Sequence, residues 1–336
     1  FWASDHPDNR IYEPSRTNYN LFDGFGDLGL IWTRAATSRG LNPFRHKIGL
    51  WETNYHLATN ATVVPRRVMT RYYDLILEAL EAGLPYQEVL AEAAKSAAVA
   101  TQYDHRRNVF LNGECLCNED FAREYHQLFF GILGADEPDY HEVTSIKNTA
   151  AALTDMEVPL DLVYGGLLTE VSFGTENHAP GVLEILHAGI GGTDAAQRID
   201  QLSQFAIEHP ESLANLPVKI IAGLADDNLD ADKIARIQTA WQSMSQKDLL
   251  HFLQAYAIST LYHDASRIKY RTSIDRHLLI ANQVTLNNEE GYLDLYNPMY
   301  GFESEDVRAF FPVHNVFGGQ TGDEASTSSD MMAPLV

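Results

Sequence analysis

The chain reads as a mainly α protein: a helical bundle with two helical lobes, a Gly-rich middle holding a candidate short β-hairpin, and irregular N- and C-terminal arms. Three observations predict this. Apolar residues recur at helical spacing through most of residues 46–158 and 193–286, the pattern of half-buried helices. Capping and stop residues fall where those stretches should begin and end. Between 159 and 192 the helical period gives way to seven glycines, from Gly165 to Gly192.

Taken in order, residues 1–45 are rich in Asn, Asp, Arg, Gly and Pro, lack periodicity, and read as an irregular wrapping arm. Lobe 1 spans 46–158. In it Thr70 can cap a helix carrying Tyr73, Leu77 and Leu80, with Gly83 as its stop. Pro85 opens a second helix holding Val89, Leu90, Ala93, Ala94 and Ala97. Asn118 is the expected N-cap of a third, whose face is Phe121, Tyr125, Leu128, Phe129 and Ile132 and which ends at Gly134. A fourth is expected over about His141–Thr154. The connector, 159–192, places Val171, Phe173, Val182 and Ile185 among its glycines, as a β-hairpin would.

Lobe 2, 193–286, starts with Asp194 capping a helix with Ile199, Leu202 and Phe205, ended by His209-Pro210. Further helices are predicted near 211–224, 231–243, 246–261 and 272–285, with Pro217 kinking or splitting the first. The second arm, 287–336, turns to Gly, Ser, Thr and Asp. Its Gly318-Gly319-Gln320-Thr321-Gly322 is no phosphate loop, since no Lys-Ser/Thr follows.

At 336 residues the chain can bury a sizeable core. Asp and Glu number 46 against 24 Lys plus Arg, a formal charge of −22. Such a surface repels phosphate backbones and anionic membranes, which argues against nucleic acid as a partner. No apolar run approaches the ~20 residues of a membrane span. G-x-S-x-G, H-E-x-x-H, G-x-G-x-x-G and Walker patterns are absent.

Four constellations could carry chemistry. Glu119 and Arg123 lie one helical turn apart, in the favourable acid-before-base order, with Glu124 and Gln127 on neighbouring faces. If buried, Arg123 could knit several segments together through its donors. Glu52 and His56 share a face at i, i+4, a spacing for metal ligation or for a base with its orienting carboxylate. His178, in Glu176–Gly181, stands on a loop suited to ligand contact. Asp226–Asp232 has the acidity of a calcium loop without its central Gly or distal Glu, and Asp230 fits better as a helix cap. The only cysteines, Cys115 and Cys117, would close a strained ring if joined. Ordinary thiols, a metal or redox pair (with His126 as a third member), and a cross-link to another chain all remain open. Candidate metal ligands are therefore His56, His178, Cys115 and Cys117, for a transition metal, with calcium the other candidate ion.

Together these stretches resemble the bacterial domain-of-unknown-function family numbered eighteen hundred, large proteins that usually carry export signals. The family hallmark, roughly N-E-N-F-A-R-E-hydrophobic-x-E-L-F-x-L-G, is similar to Asn118–Gly134, NEDFAREYHQLFFGILG. Agreement falls at Asn118, Glu119, Phe121, Ala122, Arg123, Glu124, Leu128 and Phe129, and Gln127 stands where an acid is usual. The family's H-N-H-F-A-T looks like Asn54–Thr59, keeping His56 and replacing the other His by Asn54. A family His-Asp looks like His178-Ala179, and a His-Pro, Lys and Asp-Asp series looks like His209-Pro210, Lys219 and Asp226-Asp227. The resemblance covers roughly 45–285. It implies an all-helical, exported protein with no agreed activity, often part of a longer chain.

The expectation is an exported scaffold or assembly component of a cell-surface or extracellular complex, in contact with other protein subunits. The alternative is a metal-assisted hydrolase or oxidoreductase, with His56 and His178 as ligands or bases, Glu124 as general acid/base and Arg123 holding an anion.

Overall fold

The structure, a computed structural model, describes residues 43–59, 63–64, 66–158 and 171–271. Residues 1–42 of the first expected arm, the second arm, the 159–170 part of the connector and the helix at 272–285 lie outside the described residues, while residues 43–45, expected in the irregular arm, are helical. Within them the protein is mainly helical, with three short antiparallel strand pairs.

Helix α1 (Pro43–Trp51) begins with proline, which is pre-set for a first helical turn, and runs directly into a π-helical turn, Glu52–His56. Helix α2 spans Arg66–Glu81, starting four residues before Thr70, so Thr70 is inside the helix and does not cap it. It buries Tyr72, Tyr73, Ile76, Leu77 and Leu80 and stops before Gly83, whose φ is +66°. Helix α3 (Tyr86–Lys95) follows Pro85, and α4 (Ala97–Gln102) follows Ser96. A single helix had been expected here. Ser96 breaks it by taking an extended conformation, donating its hydroxyl to Ala93 O and accepting Val99 N–H at 3.2 Å.

An unexpected hairpin comes next: β1 (Val109–Leu111) pairs with β2 (Glu114–Leu116) across Asn112 and Gly113, at φ 54° and 86°. Asn-Gly with both φ positive is the favoured two-residue hairpin turn. Helix α5 (Asp120–Glu124) then passes into a π-helical segment, Tyr125–Phe129. It ends before Gly131, short of the expected stop at Gly134. Asn118 does accept Asp120 N–H at 2.9 Å, while its own groups tie it to Asn108 and Tyr103. Helix α6 (Pro138–Tyr140), a π-helical His141–Ile146 and α7 (Lys147–Ala152) form the next rod, begun three residues before His141.

Strand β3 (Met156–Glu157) pairs with β4 (Ser172–Phe173), and β5 (Leu183–Ile185) with β6 (Ala188–Ile190), the hairpin expected in the Gly-rich middle. Its turn residues, Leu186 and His187, both have positive φ. The rod α6–α7 holds them there: Ser145 Oγ accepts Leu186 N–H at 3.1 Å, Tyr140 Oη accepts His187 N–H at 2.7 Å, and the Tyr140 and His187 rings stack at 3.9 Å.

Helix α8 (Ala195–Ala206) is capped by Asp194, α9 (Pro210–Leu224) by His209, α10 (Ala231–Ser243) by Asp230 and α11 (Leu249–Ile258) by Asp248. Ile199 and Leu202 are buried as expected, but Phe205 is 46% exposed. Helix α9 is continuous through the buried Pro217, with no split. Burial of Leu216, Ile220 and Ile221 around it offsets the ~3 kcal/mol a mid-helix proline costs. Buried apolar residues from Ile48 to Leu261 join in one core. Helix α8 packs on α3 and α9 on α10, and Trp241 of α10 meets Tyr86 of α3 edge-on.

Candidate functional site

The π turn Glu52–His56 puts polar side chains where a core would otherwise be apolar. Leu57 N–H reaches back five residues to Glu52 O at 2.6 Å, and Thr53 Oγ donates to Gly49 O. That wider turn directs Glu52 and His56 inward, where neither side chain has solvent-exposed surface. His56 Nδ1 lies 2.9 Å from Glu52 Oε2, and Tyr86 Oη donates to Glu52 Oε1 at 2.7 Å. His56 Nε2 lies 2.8 Å from Leu128 O. A carbonyl can only accept, so Nε2 carries a hydrogen. Tyr86 Oη also lies 3.2 Å from Nδ1. Trp51 stacks on the imidazole at 4.7 Å. Helix α9 seals this side: a Cβ on Gly223 would fall 2.1 Å from Trp51 Nε1, so only glycine lets the two approach.

Leu128 O accepts a second bond, from Lys219 Nζ of α9 at 2.9 Å. Burial brings the Lys219 ammonium down to about 8, against the charges of Glu52 and Glu124. Burial also lowers His56, helped by Lys219 and opposed by Glu52. Burial raises Glu124, with Lys219 opposing, and Glu124 Oε2 is buried without a hydrogen-bond partner among the described residues. Glu52, His56, Tyr86, Glu124 and Lys219 therefore form one electrostatic cluster between α1, α3, α5 and α9. Lys219 is its missed member. Its signal was present, a lysine inside the apolar run Leu216–Ile221.

The other candidates stand elsewhere. Arg123, next to Glu124 in sequence, points outward: it is 40% exposed, 3.0 Å from Glu119 and in contact with Glu142. It ties α5 to the α6–α7 rod at the surface and is not the buried knot that its five donors could have made. His178 binds Thr154 through Nδ1 and shares no partner with His56. Cys115 and Cys117 are joined in a disulfide, contrary to the expectation from their spacing. The hairpin end sets their Cα atoms 5.3 Å apart, inside the range a disulfide spans, so neither is a free thiolate for a metal. His126 is bonded to Thr149 and edge-on to His141. Among the described residues no three His, Cys, Asp or Glu side chains gather to hold a metal.

The acidic run 226–232 is a clamp built on lysines. Asp226 pairs with Lys233 at 2.8 Å, both buried, and accepts Asn228 and Ile268 N–H. Asp227 pairs with Lys269 and accepts Tyr270 N–H at 2.7 Å. With those oxygens engaged, the calcium reading loses its ligands, and Asp230 caps α10 as expected. Glu211 similarly ties α9 to the loop after α5, accepting the N–H groups of Leu133, Gly134 and Ala135. Gly134, at φ +67°, has His141 where a Cβ would be, which explains the glycine that closes the 118–134 motif.

The fold and this cluster define a class: a mainly helical protein whose signature residues lock helix to helix around a buried His–Glu pair. A model of the family described as "Protein of unknown function (DUF1800)" matches residues 25–293. The chain belongs to that family. No curated protein and no solved structure matches it, and among the described residues no helix is long and apolar enough to cross a membrane.

Proposed function

We propose that this chain is an exported helical scaffold, a component of a cell-surface or extracellular assembly in contact with other protein subunits. One observation carries the reading: the residues of its family motifs are bonded inside the molecule. Both His56 nitrogens, the Lys219 ammonium, the Asp226 and Asp227 carboxylates and the Asn118 amide are all engaged by partners within the chain. The Cys115–Cys117 disulfide suits an oxidising compartment, and the −22 charge suits solubility there. The test is light scattering on the protein purified from native envelope and extracellular fractions. The expected result is an assembly of defined stoichiometry, well above the 37.6 kDa of one chain. A monodisperse monomer confined to the cytoplasm would refute it.

A second reading, a hydrolase or oxidoreductase site, draws on Glu124 Oε2, which is buried and unpartnered beside a lysine lowered to about 8. There Glu124 would serve as acid/base, with Lys219 as the cation and His56 behind it. Elemental mass spectrometry on protein prepared without chelators tests the metal-assisted form. A stoichiometric transition metal lost in His56→Ala supports it; a metal-free protein that is unaltered by Glu124→Gln in substrate screening removes it.

A further inference from the structure

Arg198 lies in the first turn of α8 with no solvent-exposed surface. Only one guanidinium nitrogen is hydrogen-bonded: Nη2 donates to Gly181 O at 2.7 Å, while Nε and Nη1 have no partner. No carboxylate pairs with it among the described residues. Asp194, whose charge reaches Arg198, has both oxygens engaged elsewhere: Oδ1 accepts Gln197 N–H at 2.9 Å, and Oδ2 accepts from Gln197 Nε2 and Thr193 Oγ1.

His178 stands close enough that the guanidinium opposes its protonation, in addition to the effect of burial. Its Nδ1 is 2.9 Å from Thr154 O and therefore carries the hydrogen. That fixes the tautomer and leaves a lone pair on Nε2, which is buried and also without a partner. The two side chains meet at one loop, since Arg198 is anchored to Gly181, three residues after His178.

Enclosing a guanidinium without an anion is costly, and here three partnerless nitrogens, two on Arg198 and one on His178, border one loop. The geometry points to a binding site for a small carboxylate, formed by Arg198 and His178 beneath the loop Asn177–Gly181. Nη2 keeps a second hydrogen beside one of the two partnerless nitrogens, so one edge of the guanidinium can still meet both oxygens of a carboxylate, which Arg holds better than any other side chain does. The enclosure limits the ligand to a small group, and a single guanidinium suits a monoanion. A ligand entering as the free acid can pass its proton to Nε2, leaving an imidazolium, a guanidinium and the carboxylate between them.

The test is thermal unfolding and calorimetric titration with sodium acetate, against sodium chloride at matched ionic strength and against inorganic phosphate. Acetate should raise Tm progressively, as a ligand of the folded state must, with chloride ineffective. Arg198→Met should abolish that rise while leaving Tm without acetate unchanged or higher, because it removes an unpaired buried charge. A purely structural arginine would instead lower Tm when replaced. His178→Gln should weaken acetate binding by about tenfold, and it carries the test alone if Arg198→Met does not fold. Equal acetate effects in wild type and variants overturn the site. A response to phosphate alone overturns the carboxylate assignment.

Discussion

Helices of the second stretch, residues 195–258, start where the preceding side chain tells them to. Asp194, His209, Asp230 and Asp248 each accept an N–H two or three residues on. The first stretch is built otherwise. Ser96 caps α4 and Asn118 accepts Asp120 N–H, but the residues directly before the helices at Tyr86, Asp120, Pro138 and Lys147 give no side-chain cap, and three segments, Glu52–His56, Tyr125–Phe129 and His141–Ile146, loosen into π-helical turns. Two of those turns fall within the family motifs. A π turn adds a residue per turn and rotates side chains off the regular stripe; here it turns Glu52, His56 and His126 into the interior. The helix starts of the second stretch are thus specified locally, one cap at a time, whereas the first stretch leans more on polar contacts such as His56–Leu128 and Lys219–Leu128 that exist only once the fold has closed.

The sharpest way to break this comparison is Glu52→Ala. It removes the acceptor of both His56 and Tyr86 inside a sealed site and should cost about 3–5 kcal/mol, the usual penalty for breaking a buried pair from one side. Urea unfolding followed by tryptophan fluorescence reads it directly. A loss below about 1 kcal/mol would mean that the cluster relaxes or is hydrated, and the contrast between the stretches would fail.

Acid should find the first stretch next. Burial holds His126 and His105 neutral down to about 3, with His141 and His209 adding to the effect at His126. In the unfolded chain both titrate near 6.5. Between those values the unfolded state binds more protons, so stability rises with pH, and it is lost as pH falls below about 6.5. Each histidine contributes ~1.4 kcal/mol per pH unit in that window. Replacing His126 by Gln should remove one proton from the slope, measured as urea midpoints across pH 4–7. An unchanged slope would show that His126 already titrates normally.

The same contrast explains what could be read from the sequence. Asp194, Asp230 and the stop at Gly83 act through their own neighbours, so their positions follow from residue type alone. The hairpin at Asn112-Gly113 was equally legible, because Asn-Gly suits that turn chemically, and it was overlooked. The turn at Leu186-His187 was not: neither residue favours positive φ, and the stabilising contacts come from Tyr140 and Ser145, some forty residues away. The spacing of Glu52 and His56 announced their bond, but not their depth. The depth of Lys219 and the half-satisfied state of Arg198 needed coordinates, since a lysine or arginine on a helix reads as solvent-facing until something closes over it.

Cap removal should give smaller effects that add. Asp194→Ala and Asp230→Ala each lose one side-chain acceptor at a helix start and should cost about 1 kcal/mol. The double variant should equal the sum, because the two share no partner. A coupling energy above about 0.5 kcal/mol would show that the second stretch is less local than its caps suggest.

The smallest effect is predicted at the residue most prominent in the sequence. Arg123 belongs to the NEDFARE motif, yet its bonds to Glu119 and Glu142 lie at a surface where its side chain is 40% exposed. Exposed ion pairs contribute roughly 0–1 kcal/mol, so Arg123→Ala should barely move the urea midpoint, and high salt should erase what difference there is. That small number carries information. Stability gives Arg123 little reason to be arginine, and under the proposed scaffold role this exposed, charged cluster is a candidate contact with another subunit. Light scattering on the Arg123→Ala assembly separates the two roles: dissociation of an otherwise stable chain places Arg123 at an interface. A large loss of stability with the assembly intact would make it part of the fold after all, and would extend the non-local character of the first stretch to its surface.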